Sequence, residues 1–156
     1  MGLYRWGIMM DKRTLHLLND VNRAIIKFRG IYSAWSSEHN ISYHEMLVFY
    51  TIREKGFCTQ KQICDSYILP RQTMNNVITA LRRNGILEIS DEHSAGREKA
   101  FVLTSKGADY AQPLMEAMNT VESKAVELLG PEKLEVLTAL MLEYDQALNR
   151  ALEESR

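Results

Sequence analysis

Apolar residues recur every three or four positions along most of this chain, and one segment alone switches to alternation. Leu15, Leu18, Val21, Ile25, Phe28, Tyr32 and Trp35 keep helical spacing and predict a long amphipathic helix over residues 13–38, in which Gly30 costs roughly 1 kcal/mol against Ala. Ser42 stands three residues before Glu45, the spacing of a capping box, and opens a second helix with Met46, Leu47, Phe49, Tyr50 and Ile52 that Gly56 ends. Thr59 is the N-cap of a short third helix, QKQICDSY, whose Ile63, Cys64 and Tyr67 should face inward. Pro70 stands in the first turn of a fourth helix, where its missing N–H costs nothing. Met74, Val77, Ile78 and Leu81 form that helix's apolar side, and Gly85 after RRN is its stop.

Beyond Gly85 the period shortens to two. ILEIS reads as a strand, DEHSAGRE as a polar turn, and KAFVLT as a returning strand with Phe101 and Leu103 on one face and Ala100 and Val102 on the other. Thr104 or Ser105 then caps a fifth helix along Leu114, Met118, Val121, Ala125 and Leu128, with Pro113 bending it or marking a late start. GPEK restarts the chain into a sixth helix of heptad type, Leu134, Leu137, Met141, Tyr144 and Leu148. A short helix, a tight turn, a second helix and a hairpin make a winged helix-turn-helix. The fold class expected is therefore mainly α, a winged helix-turn-helix with a small β-hairpin wing plus N- and C-terminal dimerisation helices. The expected parts are an N-terminal dimerisation helix in 1–40, the winged lobe in 41–106 and C-terminal dimerisation helices in 107–156, integrated as one domain. Because the terminal helices carry apolar stripes that a lone wing lobe cannot cover, a two-fold homodimer is the simplest way to bury them.

The fourth helix changes the picture from fold to chemistry. Its other face holds Arg71, Gln72, Thr73, Asn75, Asn76, Thr79, Arg82 and Arg83, and no acid occurs between Asp65 and Glu88. A plain solvated helix would alternate Glu with Lys; amides, hydroxyls and guanidinium groups are instead what read base edges and hold phosphates. Asn and Thr are mediocre helix formers, so surface filling does not explain them. Arg82 and Arg83 fit two readings, phosphate contact or a response to the helix macrodipole. Thr59, Lys61 and Gln62 likewise fit a phosphate contact at a helix start or a plain N-cap. In a dimer, two such helices about 34 Å apart would read a pseudo-palindromic duplex.

Overall charge narrows where such contact can occur. A formal net charge of −1 excludes a generally adhesive nucleic-acid binder. Bases outnumber acids in 59–106, whereas acids dominate 107–156, so the basic patch is local. The N-terminal run MGLYRWGIMM is broken by Arg5 and followed by DKR, far short of the ~20 apolar residues of a membrane span, and a cytoplasmic protein without a membrane partner is expected. Cys58 and Cys64 do not make a disulfide framework or a C-x-x-C motif; Cys64 reads as core and Cys58 as a free thiol in a turn. His16, His39, His44 and His93 are scattered, and no metal or cofactor is expected. No phosphate loop, HExxH or nucleophile elbow occurs, and an enzyme is not expected.

The helix order, the stretch TQKQICDSYILPRQTMNNVITALRRNGIL and the wing ending in VLTSKG resemble the MarR (multiple antibiotic resistance regulator) family of dimeric winged-helix transcription factors, over nearly the whole chain. That resemblance implies a homodimer built from the first, fifth and sixth helices, repression of nearby promoters, and release from DNA by a small phenolic or lipophilic effector. Two positions depart from the family pattern: Ala95 stands where a wing Asp precedes the arginine, here Arg97, and Ile89 where an Arg often follows the helix-ending Gly. Wing contacts then fall to His93, Ser94, Arg97 and Lys99. Phe28, Tyr32, Trp35, Phe49 and Tyr50 fall where the first helix meets the second, and serve either as core or as the wall of an effector pocket. A competing assignment is a winged-helix interaction or dimerisation module that reads no DNA.

Overall fold

The computed structural model describes residues 10–156; residues 1–9 of the N-terminal run, on which the expectation of no targeting segment rests, lie outside the described residues. The elements are α1 (Lys12–Glu38), α2 (Tyr43–Lys55), β1 (Cys58–Thr59), α3 (Gln60–Tyr67), α4 (Arg71–Arg83), β2 (Leu87–Ala95), β3 (Glu98–Leu103), α5 (Ser105–Leu129) and α6 (Pro131–Glu154). Mainly α with a small wing is therefore what the chain forms. It divides into two compact units, one ending at Thr104 and one spanning Ser105–Arg156.

Side-chain caps set the starts of α1, α2 and α3. Asp11 caps α1, its carboxylate accepting from the Arg13 and Thr14 amides at 2.9 and 3.1 Å, and the Thr14 hydroxyl bond is the main reason its pKa is lowered. Ser42 and Glu45 form the reciprocal box at α2, with bonds of 3.1 and 2.7 Å. Thr59 and Gln62 repeat the device at α3. The core beneath them is made by Val48 and Phe49 of α2, Ile63 of α3, and Met74, Ile78 and Leu81 of α4, all under 5% exposed. Each such side chain contributes roughly 1.5–3 kcal/mol by leaving water.

Four local expectations are corrected. Cys58 lies in a strand, not a turn: β1 pairs antiparallel with β3 through Cys58 to Phe101 and Thr59 to Ala100, giving a three-stranded sheet in the order β1-β3-β2. The Cys58 thiol is fully buried, and burial pushes its pKa up to about 12. Tyr67 does not face inward; it is exposed at the last turn of α3. The wing strands reach further than ILEIS and KAFVLT, leaving a loop of Gly96 and Arg97 between paired Ala95 and Glu98. Gly96 takes φ +57°, and a two-residue hairpin needs that sign at its first loop position. Finally, α5 starts at Ser105 and runs through Pro113, so the proline is no late start.

The turn between α3 and α4 carries strain. Ile68 caps α3 at φ 50°, ψ 56°, left-handed backbone that a β-branched residue adopts at a cost of roughly 1–2 kcal/mol, and it is 86% exposed. In the second unit α5 and α6 pack on one another. No residue of α6 is buried in the single chain, and its heptad positions Leu137, Met141 and Leu148 face solvent. On α1, Val21, Ile25 and Phe28 are exposed as well. Among the described residues, no helix is long and apolar enough to cross a membrane.

Candidate nucleic-acid interface

α4 separates its two faces cleanly. Burial of Met74, Ile78 and Leu81 turns Arg71, Gln72, Asn75, Asn76, Thr79, Arg82 and Arg83 outward, with Thr73 half-buried. Gln72 Nε2 donates to Asn76 Oδ1 at 2.9 Å, one turn apart, which preorients two amides on the same face. The start of α4 is held by Gln60, whose Nε2 donates to the Arg71 carbonyl at 2.8 Å. With Pro70 as N-cap and no side-chain cap bond there, that tie links the first helix of the motif to the second.

The wing brings further cations to the same side. Lys61, Arg71, Asn75, Arg97 and Lys99 line one groove of about 480 Å³ together with Gln60, Glu98 and Phe101. Lys61 also pairs with Asp65 at 3.3 Å, an exposed pair one turn along α3 that leaves it available to a stronger anion. A second groove of about 420 Å³ lies at the other end of α4, lined by Thr79, Arg82 and Arg83 with Leu87, Glu88 and Ile89. Arg82 stands over the ring of Phe101, a residue of the first groove, at 5.8 Å. Ile89 makes this second groove less basic than an arginine would.

The wing residues expected to make contacts differ in what already engages them within the chain. Between Ser90 and Ala95 the ladder is irregular: Ser90 pairs with Ala100, but Ala95 pairs with Glu98, so β2 carries extra residues against Lys99. Ser94 repairs the break, its hydroxyl donating to the Ser90 carbonyl at 2.6 Å and accepting from the Ala100 amide at 2.9 Å. Its polar group is thus engaged by the backbone. His93 stacks on Phe57, centroids 4.5 Å apart and planes 8° apart, fastening the bulge to the chain between α2 and β1. Arg97 at the tip and Lys99 beside it remain exposed.

Gln60 and Glu98 are the groove residues that the sequence did not disclose. Gln60 carries a weak signal, as the residue after an N-cap, whereas Glu98 touches Thr59 across 39 positions and no local pattern announces it. The base of the wing explains the LT that precedes α5: Thr104 returns its amide to the Ile86 carbonyl and its hydroxyl to the Gly85 carbonyl, 3.0 and 2.6 Å away. That closure fixes where β2 leaves α4.

The aromatic residues are distributed rather than equivalent. Phe49 is core, while Tyr32, Trp35 and Tyr50 are half-buried and Phe28 is exposed. Trp35 stacks on His39 at 3.9 Å, and Tyr50 lies beneath the Arg53 guanidinium at 4.3 Å. Among the described residues no group of three or more His, Cys, Asp or Glu is placed to hold a metal.

No family model and no curated protein matches the chain. Solved structures do. A MarR family regulator from Neisseria meningitidis superposes with a TM-score of 0.81 at 24% identity, over 90% of this chain and 99% of that one. MarR of Staphylococcus aureus in complex with salicylate and kanamycin gives 0.67 at 15% identity, over 90% and 95%. NadR in complex with 4-hydroxyphenylacetate gives 0.65 at 16% identity, over 92% and 97%. The chain thus has the fold of MarR-family regulators.

Proposed function

We propose that this chain is a cytoplasmic, homodimeric transcriptional regulator of the MarR type that binds a pseudo-palindromic duplex through α4 and the wing and represses nearby promoters. One observation carries the reading: the outward face of α4 is wholly polar or cationic and shares a groove with Arg97 and Lys99 of the wing. Arg71, Gln72, Thr73, Asn75 and Asn76 are assigned to base edges or phosphates, Thr79, Arg82 and Arg83 to the backbone, and Lys61 and Gln62 to the phosphates at the start of α3, where Thr59, buried and hydrogen-bonded to Gln62 and Glu98, takes the plain N-cap reading instead. The exposed apolar rows of α1 and α6 supply the dimer surface.

Control by a small effector completes the reading. Two proteins of this fold were solved with salicylate and with 4-hydroxyphenylacetate, both aromatic carboxylates. In this chain Phe28, Tyr32, Trp35, Phe49 and Tyr50 are assigned to the effector, with Tyr32 and Trp35 offering half-buried polar tips. An effector that favours a different separation of the two α4 helices releases DNA, and DNA weakens effector binding by the same factor.

Fluorescence anisotropy of the protein on the intergenic duplex beside its own gene, over several salt concentrations, tests the reading. Steeply salt-dependent nanomolar binding that weakens in Arg71→Ala and Asn75→Ala is expected, each good base contact being worth ~1–3 kcal/mol. Weak binding indifferent to both substitutions would instead favour an interaction module that reads no DNA.

A further inference from the structure

Glu98 is an acid in a groove of cations. Lys61, Arg71, Arg97 and Lys99 line the same space, yet the bond its carboxylate makes is to Thr59, whose hydroxyl donates to it. Thr59 is 7% exposed and already engaged twice, as the α3 N-cap accepting from the Gln62 amide at 3.1 Å and as the β1 partner of Ala100. Glu98 is the first residue of β3, with Arg97 before it and Lys99 after it. Beside the β1–β3 pairing, this hydrogen bond joins the first residue of the returning arm, and the two cations that flank it, to the start of α3.

The pairing of β1 with β3 stops at Ala100, two residues short of Glu98, and the register of β2 with β3 breaks between Ser90 and Ala95, so the tip is joined to the regular part of the sheet across a bulge.

We infer that Glu98 is the positioning residue of the wing: by accepting from Thr59 it sets Arg97 and Lys99 into the groove of Lys61 and Arg71, and that groove takes a backbone phosphodiester of the duplex. The inference rests on the DNA-binding reading and adds the device that shapes its wing. It makes a sign prediction that simple electrostatics reverses. A carboxylate close to a phosphate repels it, so if Glu98 were only a charge, removing it by any substitution would tighten binding. If it is a tether, Glu98→Gln keeps an acceptor for Thr59 and sheds the repulsion, while Glu98→Ala sheds both repulsion and tether.

The experiment measures duplex affinity of the dimeric full-length protein, Glu98→Ala and Glu98→Gln against salt, with amide hydrogen exchange of residues 95–99 in the absence of DNA. Glu98→Ala should lose about tenfold or more in affinity, lower the salt slope by about one, and exchange faster at the wing tip; Glu98→Gln should bind at least as tightly as the parent and keep the parent's protection. Exchange is read on folded protein only, which separates a loosened tip from failure to fold. Glu98→Ala binding as tightly as Glu98→Gln, or unchanged exchange in Glu98→Ala, overturns the inference while leaving the DNA-binding reading intact. A parent that binds no duplex overturns both, and is recognised before either variant is compared.

Discussion

α4 and α6 are both amphipathic helices, and they end in opposite states. The apolar side of α4 is fully used: Met74 is 0% and Leu81 2% exposed, so what remains outside is a face of amides, hydroxyls and guanidinium groups. The apolar side of α6 is only partly covered within the chain: Leu134 and Tyr144 are half-buried, but Leu140 is 58% and Leu148 52% exposed. A helix whose core side is satisfied and whose polar side lacks acids is finished as structure and open as a binding surface. A helix whose apolar row is uncovered still has a face to bury, and in the proposed dimer a second copy covers it.

Breaking that comparison should cost most at α6. Leu137→Asp combined with Leu148→Asp places charge on the uncovered row; sedimentation should show monomer, and operator affinity should fall by about a hundredfold or more because one α4 then binds without its partner. Because those side chains are exposed in the single chain, the loss should follow from assembly rather than from a collapsed core. Next comes the buried side of α4. Met74→Ala should lower unfolding free energy by about 2–5 kcal/mol in denaturant titration, with the outward residues untouched. An equal loss of DNA affinity at concentrations where the variant is folded would show that the two faces are not separable.

Smaller effects sharpen the picture at the joints. Ile68→Gly should raise stability by roughly 1 kcal/mol or more in a thermal or denaturant melt, since Gly adopts the left-handed backbone without a Cβ penalty and Ile68 buries almost nothing. No gain would mean that the turn relaxes out of φ 50° in solution. Cys58 gives a pH test. Its folded pKa is raised to about 12 from an ordinary 9.0, so the native thiol keeps its proton after the unfolded chain has lost it. The stability it contributes is therefore intact below about pH 9 and lost progressively as pH rises toward 12, and Cys58→Ala should flatten that decline in a melt series.

The elements legible in the sequence were those with local signals. The capping box at Ser42, the N-cap at Thr59, the stop at Gly85 and the buried Met74, Ile78 and Leu81 all follow from spacing within one or two helical turns. What escaped depended on partners far along the chain. β1 is two residues long and exists because Phe101 and Ala100 pair with it, so no periodicity could show it. Tyr67 turned outward because α3 ends at the strained Ile68 before another turn could bury it. The role of Ser94 in bridging the bulge, through the Ser90 carbonyl and the Ala100 amide, is visible only once the register is known.

Selection of bound duplexes from a random library, with the parent protein at fixed salt, tests the central claim most directly, because it asks at once whether α4 reads sequence and whether two copies read together. The account predicts an enriched pseudo-palindrome with half-site centres about 10 base pairs apart, altered at defined positions by Asn75→Ala. An unenriched pool, or an enriched site with a single unpaired half, would contradict it.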